Sequence, residues 1–195
     1  MYPLVYLVRH GQTQWNTERR LQGQADTDIN ALGRQQATGN GRRLAAMIGK
    51  GEDFDFVASP MRRTCETMEL MRAAMGLDPL AYRTEPRLVE LSFGDWQGFT
   101  FRELEARLPG STRGRRSAKW DFQPPGEGAE SYEMLLERIK PWFDALDRQT
   151  VCVTHGGVMR CLFRFVMGVS KQEAAGLEIP QDQLLRLQGR SLEWL

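Results

Sequence analysis

Two apolar runs that each stop at His-Gly constrain this chain more than any other feature. The first reads Leu4-Val5-Tyr6-Leu7-Val8-Arg9-His10-Gly11, the second Val151-Cys152-Val153-Thr154-His155-Gly156-Gly157. A short β-branched run closed by glycine is the pattern of a buried strand giving way to a tight turn. The chain holds only 2 histidines, and both stand at the C-terminal tip of a predicted strand. In open α/β sheets that edge is where ligands bind. Two imidazoles there point to chemistry rather than packing.

Further strands are predicted over 54–58, 79–83 and within 184–194. Asn30 is a good N-cap for a helix whose buried face is Ala37, Gly41, Leu44, Ala45 and Ile48. Ser59-Pro60 supplies a cap with proline at the first helical position. Met61, Cys65, Met68, Met71 and Met75 then form one stripe, which reads as core rather than as a cofactor site. Tyr132, Leu135, Leu136, Ile139 and Leu146 define a third helix, which Pro141 can kink. Val158 to Met167 is apolar nearly all round, as suits a buried helix directly after His155. This alternation predicts an α/β fold with a mostly parallel sheet. At 195 residues the chain fits a single domain, 1–195. Residues 99–128 break the pattern with Pro109-Gly110, the basic cluster Arg113, Arg115, Arg116 and Lys119, then Trp120 and Pro124-Pro125-Gly126. They read as an insertion or lid over the strand tips, the plain alternative being a solvated basic loop.

A net charge of +1 gives no support for a polyanion-binding surface, so nucleic acid is not an expected partner. No apolar stretch approaches the roughly 20 residues of a membrane span, and the N-terminus lacks a basic leader with a long apolar core. Cys65, Cys152 and Cys161 are odd in number and sit in apolar contexts, which reads as reduced core thiols of a cytoplasmic protein. Oligomeric state is not legible, and a homodimer is one assembly open to such a chain.

The string Arg9-His10-Gly11-Gln12-Thr13-Gln14-Trp15-Asn16 resembles the Arg-His-Gly-x-Thr-x-x-Asn signature of the histidine phosphatase superfamily, the phosphoglycerate mutase-like family. Leu21-Gln22-Gly23 is similar to its following substrate-loop segment. Ser59-Pro60-Met61-Arg62-Arg63-Thr64-Cys65-Glu66-Thr67 resembles its Ser-Pro-Leu-x-Arg-Ala-x-Gln-Thr helix start. Residues 88–98, Leu-Val-Glu-Leu-Ser-Phe-Gly-Asp-Trp-Gln-Gly, resemble its Leu-x-Glu-x-x-Phe-Gly-x-Trp-Glu-Gly element, and Val153 to Gly157 match its second histidine motif. Arg-His-Gly alone is weak, whereas four motifs in order along almost the whole chain are specific. Gln97 replaces the family's glutamate and Glu66 its glutamine, at positions away from the expected phosphate contacts.

The resemblance implies a three-layer α/β sandwich with a short lid, and a catalytic set of His10, Glu90, His155, Arg9 and Arg63. Gly11, Asn16, Gln22, Gly23 and Gly156 would contact the phosphate or substrate, with no metal and no other cofactor. The physics agrees with these types. Phosphoryl transfer needs a nucleophile, an in-line path and charge neutralisation around the equatorial oxygens. Arginine forks suit those oxygens, and nearby guanidinium groups keep a histidine neutral. Its other ring nitrogen needs an acceptor, which a carbonyl of the Gly11 turn can supply. Arg62 competes with Arg63 until the family pattern, which sets the functional arginine just before Thr64, favours Arg63. Glu90 as proton donor to the leaving oxygen comes from the resemblance alone, among 25 acidic residues.

The expected function is hydrolysis of small phosphate monoesters through a phosphohistidine. A phosphoglycerate mutase could use the same residues, but mutases resembling this family carry a longer insertion before the second histidine. A non-catalytic phospho-ligand binder should have lost a catalytic residue, and none is missing. Two histidines more than 140 positions apart make a poor metal-ligand set, and a P-loop sequence is absent.

Overall fold

Strand periodicity explains the layers of this fold. In the computed structural model, which describes residues 1–195, β1 (Tyr2–Arg9) sends Val5 and Leu7 to one face and Tyr6 and Val8 to the other. β4 (Thr150–Thr154) splits likewise, with Cys152 on one face and Val151 and Val153 on the opposite one. Each face carries its own apolar cluster, so the sheet must be covered on both sides. One cover is α6 (Tyr132–Asp144) and α7 (Gly156–Met167); the other is α2 (Ala31–Ile48) and α3 (Arg62–Ala74). The expected three-layer α/β sandwich is what results.

The sheet has 6 strands in the order β3-β2-β4-β1-β5-β6. β2 (Asp55–Ala58) and β3 (Arg83–Thr84) run parallel with β4 and β1, whereas β5 (Leu184–Gly189) runs antiparallel to β1 and β6 (Ser191–Trp194) antiparallel to β5. From β1 the chain crosses over β4 to reach β2, and from β4 it passes to the other side of β1. The switch in strand order therefore falls between β1 and β4, where His10 and His155 leave their strands. This is the crevice that open α/β sheets use for ligands.

Several sequence expectations shift by local chemistry. Asn30 does cap α2, its side chain accepting from Gly33 N at 2.9 Å. Ser59-Pro60 does not start α3. Ser59 is still bonded as strand, its N–H donating to Val153 O, and its hydroxyl is engaged by His155. The helix begins two residues later behind Met61, and Asp26 Oδ1 accepts from Arg62 N at 2.9 Å instead. The strand expected over 79–83 shrinks to Arg83–Thr84 because Asp78 draws residues 78–82 into a turn, accepting from Leu80 N. The segment 184–194 is a hairpin, β5 and β6, turning at Gly189 with φ 62°. Helix α6 continues through Pro141, and Leu146 lies beyond its end.

Within 99–128 stand α4 (Phe101–Arg107), closed by a Thr100–Glu103 capping box, and α5 (Arg113–Ser117). Leu104 packs with Leu21 and Trp96 in a small cluster apart from the two main ones, and Trp96 stacks on Phe122 at 5.2 Å. The last short helix is α8 (Lys171–Gly176), and a short α1 (Gln14–Thr17) follows the His10 turn. No helix is long and apolar enough to cross a membrane.

Candidate active site

A cavity of about 230 Å³ opens at the C-terminal edge of the sheet, walled by Arg9, His10, Asn16, Gln22, Gly23, Arg63 and Glu90 from the expected set. Parallel pairing of β1 with β4 sets the two histidines side by side, ring centres 5.3 Å apart. His155, 0% exposed, lies beside His10 and is not among the residues of the wall.

His10 Nδ1–H donates to the Gly11 carbonyl at 2.8 Å, which leaves Nε2 with the lone pair. Burial, then Arg63 and Arg9, hold His10 well below the ordinary histidine range. Burial leads again for His155, with Arg63, His10 and Arg9 adding to it. Both rings are therefore neutral at physiological pH, as an attacking imidazole must be. His155 Nε2 meets Ser59 Oγ at 2.8 Å, and its Nδ1 has no partner in the chain.

These depressed values have a consequence for stability. Below about pH 6.5 the unfolded histidines bind protons that the folded ones refuse, so stability falls with pH at up to about 1.4 kcal/mol per unit for each ring. Urea unfolding of the ligand-free protein at about pH 5.5 is expected to give a stability lower by roughly 2 kcal/mol than at about pH 7. Equal stabilities at the two pH values would contradict neutral buried rings.

Arg63 and Arg62 separate cleanly. Arg63 is 0% exposed, and its fork donates to Gly23 O at 2.7 Å and Ala25 O at 2.9 Å. Its Nε remains without a partner, as does that of Arg9, whose Nη1 holds Ile179 O at 2.8 Å. Arg62 points outward, its side chain 65% exposed and paired with Asp28 at 2.7 Å. Burial pushes Arg9 and Arg63 each down to about 10, which leaves both charged at neutral pH.

Glu90 is held by the main chain. Its carboxylate accepts from Leu91 N at 2.9 Å and from Gly157 N at 3.0 and 3.1 Å. A Cβ on Gly157 would collide with Glu90 Oε1, so the second glycine of His-Gly-Gly serves the carboxylate. Gly156, the expected contact, stands beside Arg9 and Arg160 but not on the wall. Gly11 is also off the wall, and its N–H is used by Thr67 Oγ1 at 3.0 Å. Its glycine character comes from packing, because a Cβ there would strike the Gly33 carbonyl at the start of α2, and a Cβ on Gly33 would strike Gln12. Gln22 is buried and its Oε1 accepts from Thr27 Oγ1 at 2.9 Å.

One contributor, Gln181, was not legible in the sequence. Gln181 Nε2 donates to the His10 carbonyl at 3.0 Å and to Asn16 Oδ1 at 3.1 Å. Asn16 Oδ1 also accepts from Thr13 N at 3.0 Å, so its Nδ2 is the group left to face the cavity. Gln181 arrives there because β5 is antiparallel, which brings the chain entering it to the C-terminal edge of β1. From the 99–128 segment, read from sequence as a lid with a solvated basic loop as the alternative, Phe101, Arg115 and Lys119 line the cavity together with Arg160 of α7. Phe93 also lines the cavity, while Trp96 is packed away from it.

The family model of the histidine phosphatase superfamily (branch 1) matches residues 5–194. Phosphoglycerate mutase-like protein 4 of Arabidopsis thaliana is 34% identical over 168 residues, which is 83% of this chain and 70% of that protein. Glucosyl-3-phosphoglycerate phosphatase of Mycolicibacterium vanbaalenii is 34% identical over 176 residues, 84% of this chain and 73% of that one. The solved structure of a mycobacterial glucosyl-3-phosphoglycerate phosphatase in complex with VO3 superposes with a TM-score of 0.77 at 30% identity, covering 99% of this chain and 96% of that chain. The chain belongs to the histidine phosphatase superfamily, branch 1, and is a phosphatase.

Proposed function

We propose that the chain hydrolyses small phosphate monoesters in two steps through a phosphohistidine at His10. One observation carries this reading. Every buried side-chain nitrogen or oxygen without a partner belongs to Arg9, Arg63, Arg115 or His155, and Arg9, Arg63 and His155 stand around the neutral imidazole of His10. Such a site asks for a ligand rich in acceptor oxygens.

In the first step His10 Nε2 attacks phosphorus, the P–N bond forms, and the ester P–O bond breaks. Arg9, Arg63, Asn16 and His155 stabilise the equatorial oxygens as charge spreads over them. Glu90 passes a proton to the leaving alkoxide. In the second step water attacks phosphorus as Glu90 takes its proton, the P–N bond breaks with its electron pair returning to His10 Nε2, and inorganic phosphate departs. Gln22 and Gly23 shape the substrate side, Gly11 fixes the His10 tautomer, and Gly156 gives close passage beside Arg9. Residues 99–128 act as the lid over the leaving group. A cytoplasmic setting fits the three free thiols Cys65, Cys152 and Cys161.

The test is a leaving-group series with phosphate release as readout. An alkyl alcohol leaves only with a proton, whereas nitrophenolate departs unaided. Glu90→Gln is expected to slow alkyl phosphate hydrolysis by about 10²- to 10⁴-fold and nitrophenyl phosphate hydrolysis far less. Equal losses would remove Glu90 from the acid role. Interconversion of phosphoglycerates without phosphate release by the parent enzyme would replace hydrolysis by a mutase reaction.

A further inference from the structure

A second cavity, of about 430 Å³, opens at the edge of the sheet opposite the two histidines. The chain lines it where it enters its strands. Residues 50–54 lead into β2, Arg83 begins β3, and Arg148 stands just before β4. Helix α3 runs back from the histidine edge and delivers Arg72, in its last turn, to the same place. Such a volume is in the range that takes a small organic molecule.

Arg72 is 5% exposed, and its guanidinium carbon lies 4.4 Å from the centre of the Phe56 ring. Its Nε donates to the Asp78 carbonyl at 2.8 Å, which closes the turn after α3. Its Nη groups donate to nothing in the chain and open onto the cavity. One carbonyl and one ring leave most of the donors of a guanidinium, and its charge, unmatched. A single ion pair stands at this cavity, Arg83 with Asp55 at 2.7 Å. Lys50, Arg72 and Arg148 therefore share Glu52 as their only remaining countercharge on the wall. The side towards the core is apolar, with Phe54, Leu77 and Tyr82 only partly buried. The Tyr82 hydroxyl donates to Glu69 at 3.0 Å, which leaves its ring for a ligand.

We infer that this cavity binds a nucleotide, with its phosphates on Arg72, Lys50 and Arg148 and its base against Phe54 and Tyr82. The arginine fork matches phosphate oxygens bidentately, and stacking on Phe56 holds that fork in place. Aromatic side chains take any base by its face. A bare anion would leave the rings of Phe54 and Tyr82 facing water, and an uncharged ring compound would leave Arg72 unmatched. None of the residues on this wall lines the His10 cavity, so binding here does not depend on the reaction at His10.

The experiment is titration calorimetry of the whole protein with α,β-methylene-ADP, in which a carbon bridge replaces the oxygen that a phosphatase would cleave. Saturable binding is expected, and Arg72→Met should weaken it by roughly 10- to 100-fold, the worth of one or two charge-assisted hydrogen bonds. Methionine keeps an apolar contact with Phe56 but has no donor. Lys50→Gln together with Arg148→Gln, both exposed, should weaken binding several-fold, and this pair still reads the site if Arg72→Met does not fold. Arg63→Lys should leave the affinity unchanged, while Arg72→Met should leave nitrophenyl phosphate hydrolysis unchanged. Adenosine and methylenediphosphonate, the two halves of the probe, should each bind at least about tenfold more weakly than the whole. Absence of saturable binding overturns the proposal, as does binding that ignores Arg72, Lys50 and Arg148 or that falls with Arg63→Lys instead. Either half binding as tightly as the whole overturns the nucleotide as the ligand class.

Discussion

His10→Ala is expected to lose phosphatase activity on the order of 10⁶-fold, the scale reached when a covalent nucleophile is removed. No other side chain can take its place. His155 is the only other imidazole, and it is fully buried, with Nε2 held by Ser59 Oγ. The arginines would still bind phosphate in the variant, so ligand affinity should survive far better than turnover. Rapid quenching of the parent enzyme should trap a phosphoenzyme that is labile in acid and stable in base, as a P–N bond is. The variant should yield none while keeping its near-ultraviolet circular dichroism. Labelling that persists in His10→Ala would move the nucleophile elsewhere.

Arg63→Lys is expected to cost about 10²- to 10³-fold in kcat/KM, comparable with removal of one oxyanion donor. Lysine keeps the charge but not the planar fork. In this site the fork has two duties, since Nη1 and Nη2 fasten the Ala25 and Gly23 carbonyls while Nε is free for the ligand. An ammonium cannot do both. Arg62→Lys next door should stay within about twofold of the parent, because an exposed ion pair such as that with Asp28 contributes little. Measuring both variants, with melting temperatures to separate loop loosening from chemistry, tests the register of the helix start. Equal losses would mean that the two side chains had exchanged roles.

Much of this was legible in the sequence because it follows from local period. Val5, Leu7, Tyr6 and Val8 alternate as a strand buried on both faces must, and the glycine after each histidine marks the strand tip. What stayed hidden depends on contacts between distant segments. Ser59 has the chemistry of a helix cap, yet its hydroxyl is engaged by His155, 96 positions away, so the helix starts late. Nothing near Gln181 signals that it will meet Asn16, 165 positions away; that follows from β5 running antiparallel. The cluster Arg113, Arg115, Arg116 and Lys119 looks uniform as a string, and burial alone singles out Arg115. Gly157 was passed over for Gly156 because the neighbour that forbids its side chain, Glu90, comes from another motif.

The reciprocal contact of Gly11 with Gly33 bears on how this protein could be engineered. Replacing a helical glycine by alanine is a routine stabilising exchange, worth about 1 kcal/mol where the helix is exposed. Helix α2 offers three candidates that look alike on paper, Gly33, Gly39 and Gly41. Gly39 has open space within 4 Å of its would-be Cβ and can take the methyl group. Gly41 faces the Met71 carbonyl of α3, and Gly33 is wedged against the backbone that carries the nucleophile. A methyl group at 33 would push on the Gln12 backbone beside the His10 turn. Thermostabilising this helix and preserving turnover therefore converge on a single residue, Gly39.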